Sequence, residues 1–221
     1  NQLFYEYQKF TQNKGIQAEP LKKELKILEK NSRKYEKIKK QLKEIDDEVT
    51  DFKLDYMQKH FSTFFVKLLN AMEPIVVPES PLLEDGTVDS KFQYNYYKKH
   101  YWDHFDLKDD RMVRTPIFHG KMEKYLLEYT PQIPDSIIKS LDVLIEKVRE
   151  SEELFKYIIN WSTHHFESSK IMGQDAVFVH LVFNYFITRQ TPWIEEVQLT
   201  NIIDKAMRIS PNLIGTTAPF L

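Results

Sequence analysis

The sequence predicts an all-α fold, a multi-helix bundle preceded by a long N-terminal helical hairpin. Apolar residues recur at three- and four-residue spacing along most of the chain, which is the period of an amphipathic helix. Only 5 glycines are present, too few for the many tight turns of a β-rich fold. Aromatic residues reach 14% of the chain, so we expect either a large aromatic core or an aromatic-lined groove.

The N-terminal part, residues 1–73, predicts helices that pair as a hairpin. The first helix has an apolar face of Leu3, Phe4, Tyr7 and Phe10, and we expect Gly15 to end it. Pro20 suits the first turn of the next helix. That helix carries a narrow seam with coiled-coil-like spacing, formed by Leu21, Leu25, Leu28, Tyr35, Ile38, Leu42, Ile45, Val49 and Phe52. We expect it to pack antiparallel against the first or the third helix.

The third helix is predicted to follow a break at residues 60–62, with Ser62 as its N-cap. Residues 74–86 contain Pro74, Pro78 and Pro81 and end in Asp85-Gly86, a composition that predicts a loop.

A helical bundle is predicted over residues 74–210. Its helix starts carry local signals, either a capping side chain or a proline in the first turn: Asp89 or Ser90, Thr115-Pro116, Pro134-Asp135, Ser151 and a position near Gln174. The last helix is predicted from near Trp193 to Arg208, and residues 211–221 are predicted as a linker.

Composition excludes several classes of function. The formal net charge of −2 predicts no general attraction to nucleic acid, and no Gly-rich phosphate loop or nucleic-acid reader motif is present. The chain has no cysteine, which excludes a disulfide framework, a thiolate zinc site and a cysteine nucleophile within it. No apolar run approaches the length of a membrane span.

One pair of histidines has a spacing that metal sites use. His100 and His104 are four residues apart with Asp103 between them, so a continuous helix would place both imidazoles on one face. The sequence places no third ligand beside them, and we therefore assign no metal to this pair. No catalytic or cofactor-binding residue is assigned either, because no histidine has a Ser or Cys nucleophile as a partner in the sequence pattern. His180, on an apolar helix, is interpreted as a hydrogen-bonded core residue.

Residues 103–114 are rich in charge, and two interpretations compete. In the structural one, Asp103, Asp106, Asp109 and Asp110 cap free N–H groups and are held by Arg111 and Arg114, which pins a polar loop. The functional one is a partner-docking patch, because Trp, Tyr and Arg dominate interface hot spots. The residues of that patch are His100, Tyr101, Trp102, Asp103, Asp106, Arg111 and Arg114.

Three segments resemble parts of a known protein family. The first is His100-Tyr101-Trp102-Asp103 with residues 105–116, the second is residues 169–180, and the third is Ile214-Gly215-x-x-Ala218-Pro219-x-Leu221. The first two resemble a helical domain of unknown function found in bacterial cell-envelope thiol-disulfide oxidoreductases. The third resembles the entry into a thioredoxin-like domain of the alkyl hydroperoxide reductase/thiol-specific antioxidant type.

The resemblance implies that this chain lies upstream of a thioredoxin-like domain that holds the redox cysteines. It also implies an exported protein of the periplasm or cell envelope, often lipid-anchored through an upstream segment. The chain would then be a non-catalytic accessory domain that positions the redox domain or its protein thiol or disulfide partner. Two alternatives stay open. One is a stand-alone interaction or scaffold module whose docking arm is the N-terminal hairpin, made basic by Lys22, Lys23, Lys26, Lys30, Arg33, Lys34, Lys37, Lys39, Lys40 and Lys43. The other is a helical metal-binding protein.

Overall fold

The computed structural model describes residues 2–30 and 32–215, and the chain divides into two compact units, Asn1–Glu73 and Pro74–Leu221. Helices account for 69% of the described residues, and these residues contain no strand. A single isolated bridge there pairs Leu82 with Val88. The predicted all-α fold is therefore confirmed. No helix in the described ranges combines the length and the apolar character that crossing a membrane requires.

The first unit is an antiparallel hairpin of α1 (Gln2–Ile27) and α2 (Arg33–Lys59), followed by α3 (Phe64–Ala71). Near the open end of the hairpin, the Tyr56 hydroxyl donates to the Leu3 carbonyl over 2.6 Å. Further along, the rings of Phe10 and Phe52 stack with centroids 3.8 Å apart. Near the turn, Lys34 pairs with Glu24. Residues of increasing number along α1 thus contact residues of decreasing number along α2. This is the antiparallel pairing that the predicted hairpin requires.

The predicted boundaries within this hairpin are wrong. Gly15 and Pro20 both lie inside the continuous helix α1, and the seam predicted as one helix is split between α1 and α2. Ser32 begins α2 as its N-cap, because its Oγ accepts a hydrogen bond of 3.2 Å from the Tyr35 amide. Gly15 and Pro20 locally destabilise a helix, but packing of α1 along α2 stabilises it. Tertiary contacts therefore override the low helix propensities of these two residues.

The break before α3 is where the sequence predicts it, but the cap is different. Thr63, and not Ser62, accepts from the Val66 amide over 3.4 Å. Phe65 of α3 packs edge-on against Tyr7 of α1, with ring centroids 5.5 Å apart. The three helices therefore share one aromatic contact region within the first unit.

The second unit is a helical bundle after the loop that begins at Pro74. Its helices are α4 (Phe92–His100), α5 (Pro116–Glu123), α6 (Pro134–Lys147), α7 (Glu152–Glu167), α8 (Asp175–Leu181) and α9 (Glu196–Ile209). Short 3₁₀ turns span Asp110–Arg114 and Ser210–Asn212, and π-helical turns extend α5 over Lys124–Glu128 and α8 over Val182–Phe186. Its core contains fully buried side chains from several helices, among them Phe118, Met122, Leu141, Leu144, Ile158, Phe166, Phe178 and Phe186.

Local signals place several helix starts in this unit correctly. Pro116 and Pro134 occupy first turns, and Ser151 caps α7 by accepting from the Leu154 amide over 3.2 Å. Helix α9 begins at Glu196, later than predicted, because residues 191–194 form a turn that is closed by a bond from the Ile194 amide to the Thr191 carbonyl. Most of the predicted linker, residues 216–221, lies outside the described residues.

Candidate functional site

The second unit has an open groove between the 3₁₀ turn Asp110–Arg114 and helix α7. Its volume is about 540 Å³, within the range of pockets that hold small molecules or anchor side chains. The lining residues are Val113, Arg114, Glu153, Lys156, Tyr157, Asn160 and Trp161. We call this surface the aromatic groove.

Helix α7 builds the aromatic groove by presenting two different stripes. One stripe faces the core and is buried: Leu154, Phe155, Ile158, Ile159, Ser162, Thr163 and Phe166. The other stripe carries the groove residues at positions 153, 156, 157, 160 and 161, which also follow helical spacing. The buried stripe fixes α7 against the bundle, and this leaves the second stripe on a rigid support.

Neighbouring side chains hold the aromatic rings of the groove in place. His165 stacks on Trp161, with ring centroids 4.7 Å apart and ring planes 14° from parallel. The hydroxyl of Tyr157 is 2.9 Å from Nδ1 of His119 on α5. The indole Nε1–H of Trp193 donates to Oδ1 of Asn160 over 3.0 Å. These contacts restrict the rotamers of the groove before any ligand arrives.

The groove combines uncharged aromatic rings with three charged side chains, those of Arg114, Glu153 and Lys156. Burial, together with the negative charge of Glu123, raises the pKa of Tyr157, so its hydroxyl is neutral at physiological pH. Burial lowers the pKa of His165 below the usual value for histidine, which keeps the imidazole that stacks on Trp161 neutral at pH 7. Arg114 and Glu153 are exposed, whereas Lys156 is half-buried.

Two residues of the predicted docking patch are buried and do not lie on the protein surface. Tyr101 and Trp102 are only 3% and 4% exposed, so neither ring is available to a partner. The Tyr101 hydroxyl donates to the Lys121 carbonyl over 2.9 Å, and the Trp102 ring packs against Phe105 and Tyr125. The aromatic pair belongs to the core because α4 and the turn after it pack against α5.

The neighbouring charges of the predicted patch make local structural contacts. Asp109 accepts from Nε and Nη2 of Arg111 over 2.8 and 2.6 Å. Asp110 accepts from the Ser151 hydroxyl over 2.5 Å and from the Glu153 amide over 3.3 Å, at the N-terminus of α7. Asp106 accepts from the Lys108 amide over 3.1 Å. Of the predicted docking residues, the aromatic groove contains Arg114.

The predicted histidine pair does not share a helix face. Helix α4 ends at His100, and His104 follows in the turn beyond it. Nδ1 of His100 is 2.5 Å from Oδ2 of Asp103, its partner in this turn. Among the residues that the structure describes, no three His, Asp or Glu side chains are grouped as a metal site requires.

His180 is hydrogen-bonded, as predicted, but it lies at a polar cleft and not in the apolar core. Its Nε2 is 2.9 Å from Oδ1 of Asp142, which also accepts from the Tyr185 hydroxyl over 3.3 Å. Burial and the charge of Asp142 raise the pKa of Tyr185 to about 12. These contacts join α6 to α8 and to the π-helical turn that follows it.

The aromatic groove was missed by reasoning from the sequence. The signal is nevertheless present, because Glu153, Lys156, Tyr157, Asn160 and Trp161 repeat at helical spacing on the face opposite the apolar stripe. Large aromatic residues on a second stripe are atypical for a solvated helix face. The contribution of Val113 and Arg114 depends on a contact between distant segments, which periodicity does not report.

The comparisons with known proteins identify one family. Residues 29–212 match the family described as Domain of unknown function (DUF5106). The chain belongs to this family. No curated protein and no solved structure shows a significant match to it.

Proposed function

We propose that this chain is a non-catalytic helical accessory module whose aromatic groove receives a protein surface. The proposed occupant is a thioredoxin-like domain of the same polypeptide, in an exported thiol-disulfide oxidoreductase of the cell envelope. The observation that carries the proposal is the second stripe of α7, where Tyr157 and Trp161 lie beside Arg114 in one groove.

The composition of the groove suits protein recognition. Trp, Tyr and Arg are the residues that most often dominate the binding energy of protein interfaces. The uncharged rings of Tyr157 and Trp161 share the groove with charged side chains, and protein interfaces likewise combine aromatic contacts with polar ones. The rings are already held by His119 and His165, so binding would cost less side-chain entropy than with free rotamers.

The redox part of the proposal rests on the sequence resemblance. The residues from Ile214 onward resemble the entry into a thioredoxin-like domain, and two inner segments resemble the helical domain found before it. Membership of a family of unknown function is compatible with this role and leaves the partner to experiment.

Photo-cross-linking in the natural full-length polypeptide tests the proposal. A benzophenone amino acid replaces Glu153 in the groove, and a matched control carries it at Val197, which is 73% exposed on α9. We expect the Glu153 probe to cross-link to the thioredoxin-like domain, and Trp161→Ala to lower that yield about tenfold or more, as for a hot-spot tryptophan. Equal yields from both probe positions, or no effect of Trp161→Ala, would contradict docking in the groove. A cross-link to a separate protein would contradict the proposed occupant.

A further inference from the structure

A second pocket of the same unit lies between helices α4 and α6. Its volume is about 330 Å³, and it is separate from the aromatic groove in its lining residues. Its lining includes the polar residues Lys98, Lys139, Ser136 and Ser140, together with Tyr94 and Val143. Two lysines and two hydroxyls therefore face one cavity that has no carboxylate among its lining residues.

Lys98 is held by hydroxyl groups. Its Nζ donates to Oγ of Ser140 over 2.9 Å and to Oγ1 of Thr130 over 3.0 Å. Ser140 is 4% exposed and Thr130 is 2% exposed, so the ammonium group is anchored at buried partners. The ring of Tyr125 adds a cation–π contact, with Nζ 5.7 Å from the ring centroid.

The hydroxyl groups of Ser140 and Thr130 can accept hydrogen bonds from Lys98 because their own protons are donated elsewhere. The Ser140 hydroxyl donates to the Ser136 carbonyl over 2.8 Å, and the Thr130 hydroxyl donates to the Tyr125 carbonyl over 2.7 Å. Their oxygen lone pairs are then free to accept from Lys98. An ammonium group has three N–H donors, so a third remains after these two bonds.

The positive charge of Lys98 is not neutralised within the described part of the protein. No Asp or Glu oxygen of residues 2–30 or 32–215 lies within 4.0 Å of its Nζ. Burial and the like charge of Lys139 both lower the pKa of Lys98, which shows that its surroundings oppose the cation. A bound anion would offset both effects, because a nearby opposite charge favours the ammonium form.

We propose that this pocket binds a small organic oxyanion, in which a carboxylate or phosphate group pairs with Lys98 and Lys139 and an apolar body contacts Tyr94 and Val143. The hydroxyls of Ser140 and Thr130 position the Lys98 ammonium group for this pairing. Ser140 itself serves as an acceptor, because its proton is committed to the Ser136 carbonyl. The proposal does not depend on the docking role of the aromatic groove.

Isothermal titration calorimetry with three probes of matched body tests the site: benzoate, phenyl phosphate and the neutral analogue benzamide. We expect one or both anions to bind at about millimolar concentration, and benzamide to show no binding there. Binding of only one anion identifies the oxyanion class that the pocket prefers. The affinity is expected to fall as salt rises, because Lys139 is exposed.

Variants of the two lysines assign the binding to this pocket. Lys98→Met keeps the aliphatic stem and removes the charge, and we expect it to weaken the anion about tenfold or more. Lys139→Met should weaken binding by a smaller factor, whereas Lys147→Met, an exposed control on the same helix, should leave it unchanged.

Tryptophan fluorescence verifies the fold of each variant. If Lys98→Met does not fold, Lys139→Met decides the test. Unchanged affinity in Lys139→Met, equal binding of benzamide, or no binding of either anion would overturn the proposal.

Discussion

Gly173 is the position where the backbone conformation most clearly restricts which residue can be accommodated. Its φ is +86°, a left-handed conformation that side chains with a Cβ rarely adopt. A Cβ at this position would lie 3.3 Å from Cγ of Pro134 and 3.5 Å from Cδ1 of Ile214. The glycine therefore lets the start of α6 and the segment after α9 approach the turn before α8.

We predict that Gly173→Ala lowers the free energy of unfolding of the second unit by about 1–2 kcal/mol, because the left-handed conformation is strained for alanine. Gly120→Ala is the matched control. Gly120 lies inside α5, and a Cβ there would meet nothing within 4 Å beyond its own helix, so alanine should stabilise the helix by about 0.5–1 kcal/mol. Denaturant unfolding followed by tryptophan fluorescence measures both, since Trp102, Trp161 and Trp193 all belong to the second unit. Equal effects of the two substitutions would contradict this explanation.

Helix α7 is the element that links the core, the charged turn and the aromatic groove. Its N-cap Ser151 is fully buried, accepts from the Leu154 amide and donates to Asp110 of the 3₁₀ turn. The same carboxylate accepts from the Glu153 amide, beside the groove. One capping arrangement thus fixes both walls of the groove to each other.

Removal of this cap is expected to destabilise the second unit. Ser151→Ala removes the bond to Leu154 and leaves the Asp110 carboxylate without its hydroxyl donor, so we predict a loss of about 1–2 kcal/mol in the free energy of unfolding. Ser168→Ala at the exposed C-terminal end of α7 should cost less than about 0.5 kcal/mol. Chemical denaturation of the two variants makes the comparison, and a larger loss in Ser168→Ala would contradict the role of the cap.

Sequence patterns predicted elements well where the determining contacts are local. Ser151, Pro116 and Pro134 act within one helical turn of themselves, and their helices begin as expected. Gly15 and Pro20 failed as boundaries because packing between α1 and α2 outweighs their local preference. The groove forms only because residues 113–114 contact α7, and Trp102 is buried only because α4 packs on α5. Neither follows from periodicity alone.

At the scale of the whole molecule, the aromatic residues divide between core and surface. Tyr97, Tyr101, Tyr125 and Tyr129 form one contiguous cluster, in which Tyr101 lies within 5.7 Å, centroid to centroid, of the other three rings. Tyr157 and Trp161 instead line the groove. Burial and the neighbouring Tyr129 raise the pKa of Tyr97 to about 12. The high aromatic content therefore supplies both the core and the lining of the aromatic groove.

The raised pKa values of Tyr97 and Tyr185 predict a loss of stability in alkali. The unfolded chain releases tyrosine protons near pH 10, whereas Tyr97 and Tyr185 retain theirs in the folded state until about pH 12. The folded state then binds more protons than the unfolded state, so the free energy of unfolding should fall as pH rises from about 10 to 12. Denaturation at a series of pH values measures this slope, and Tyr185→Phe should reduce it. Ionisation of all 12 tyrosines in one step near pH 10, by absorbance at 295 nm, would contradict the prediction.

The proposed role in a thiol-disulfide oxidoreductase is tested most directly by the residues that follow Leu221 in the natural polypeptide. Sequencing the gene beyond the codon for Leu221 provides them. We predict strand-forming segments followed by a Trp-Cys-x-x-Cys motif, which would supply the redox cysteines that this chain lacks. A stop codon soon after Leu221, or a continuation without a cysteine pair, would contradict the redox role. The aromatic groove would then require a partner from outside the polypeptide.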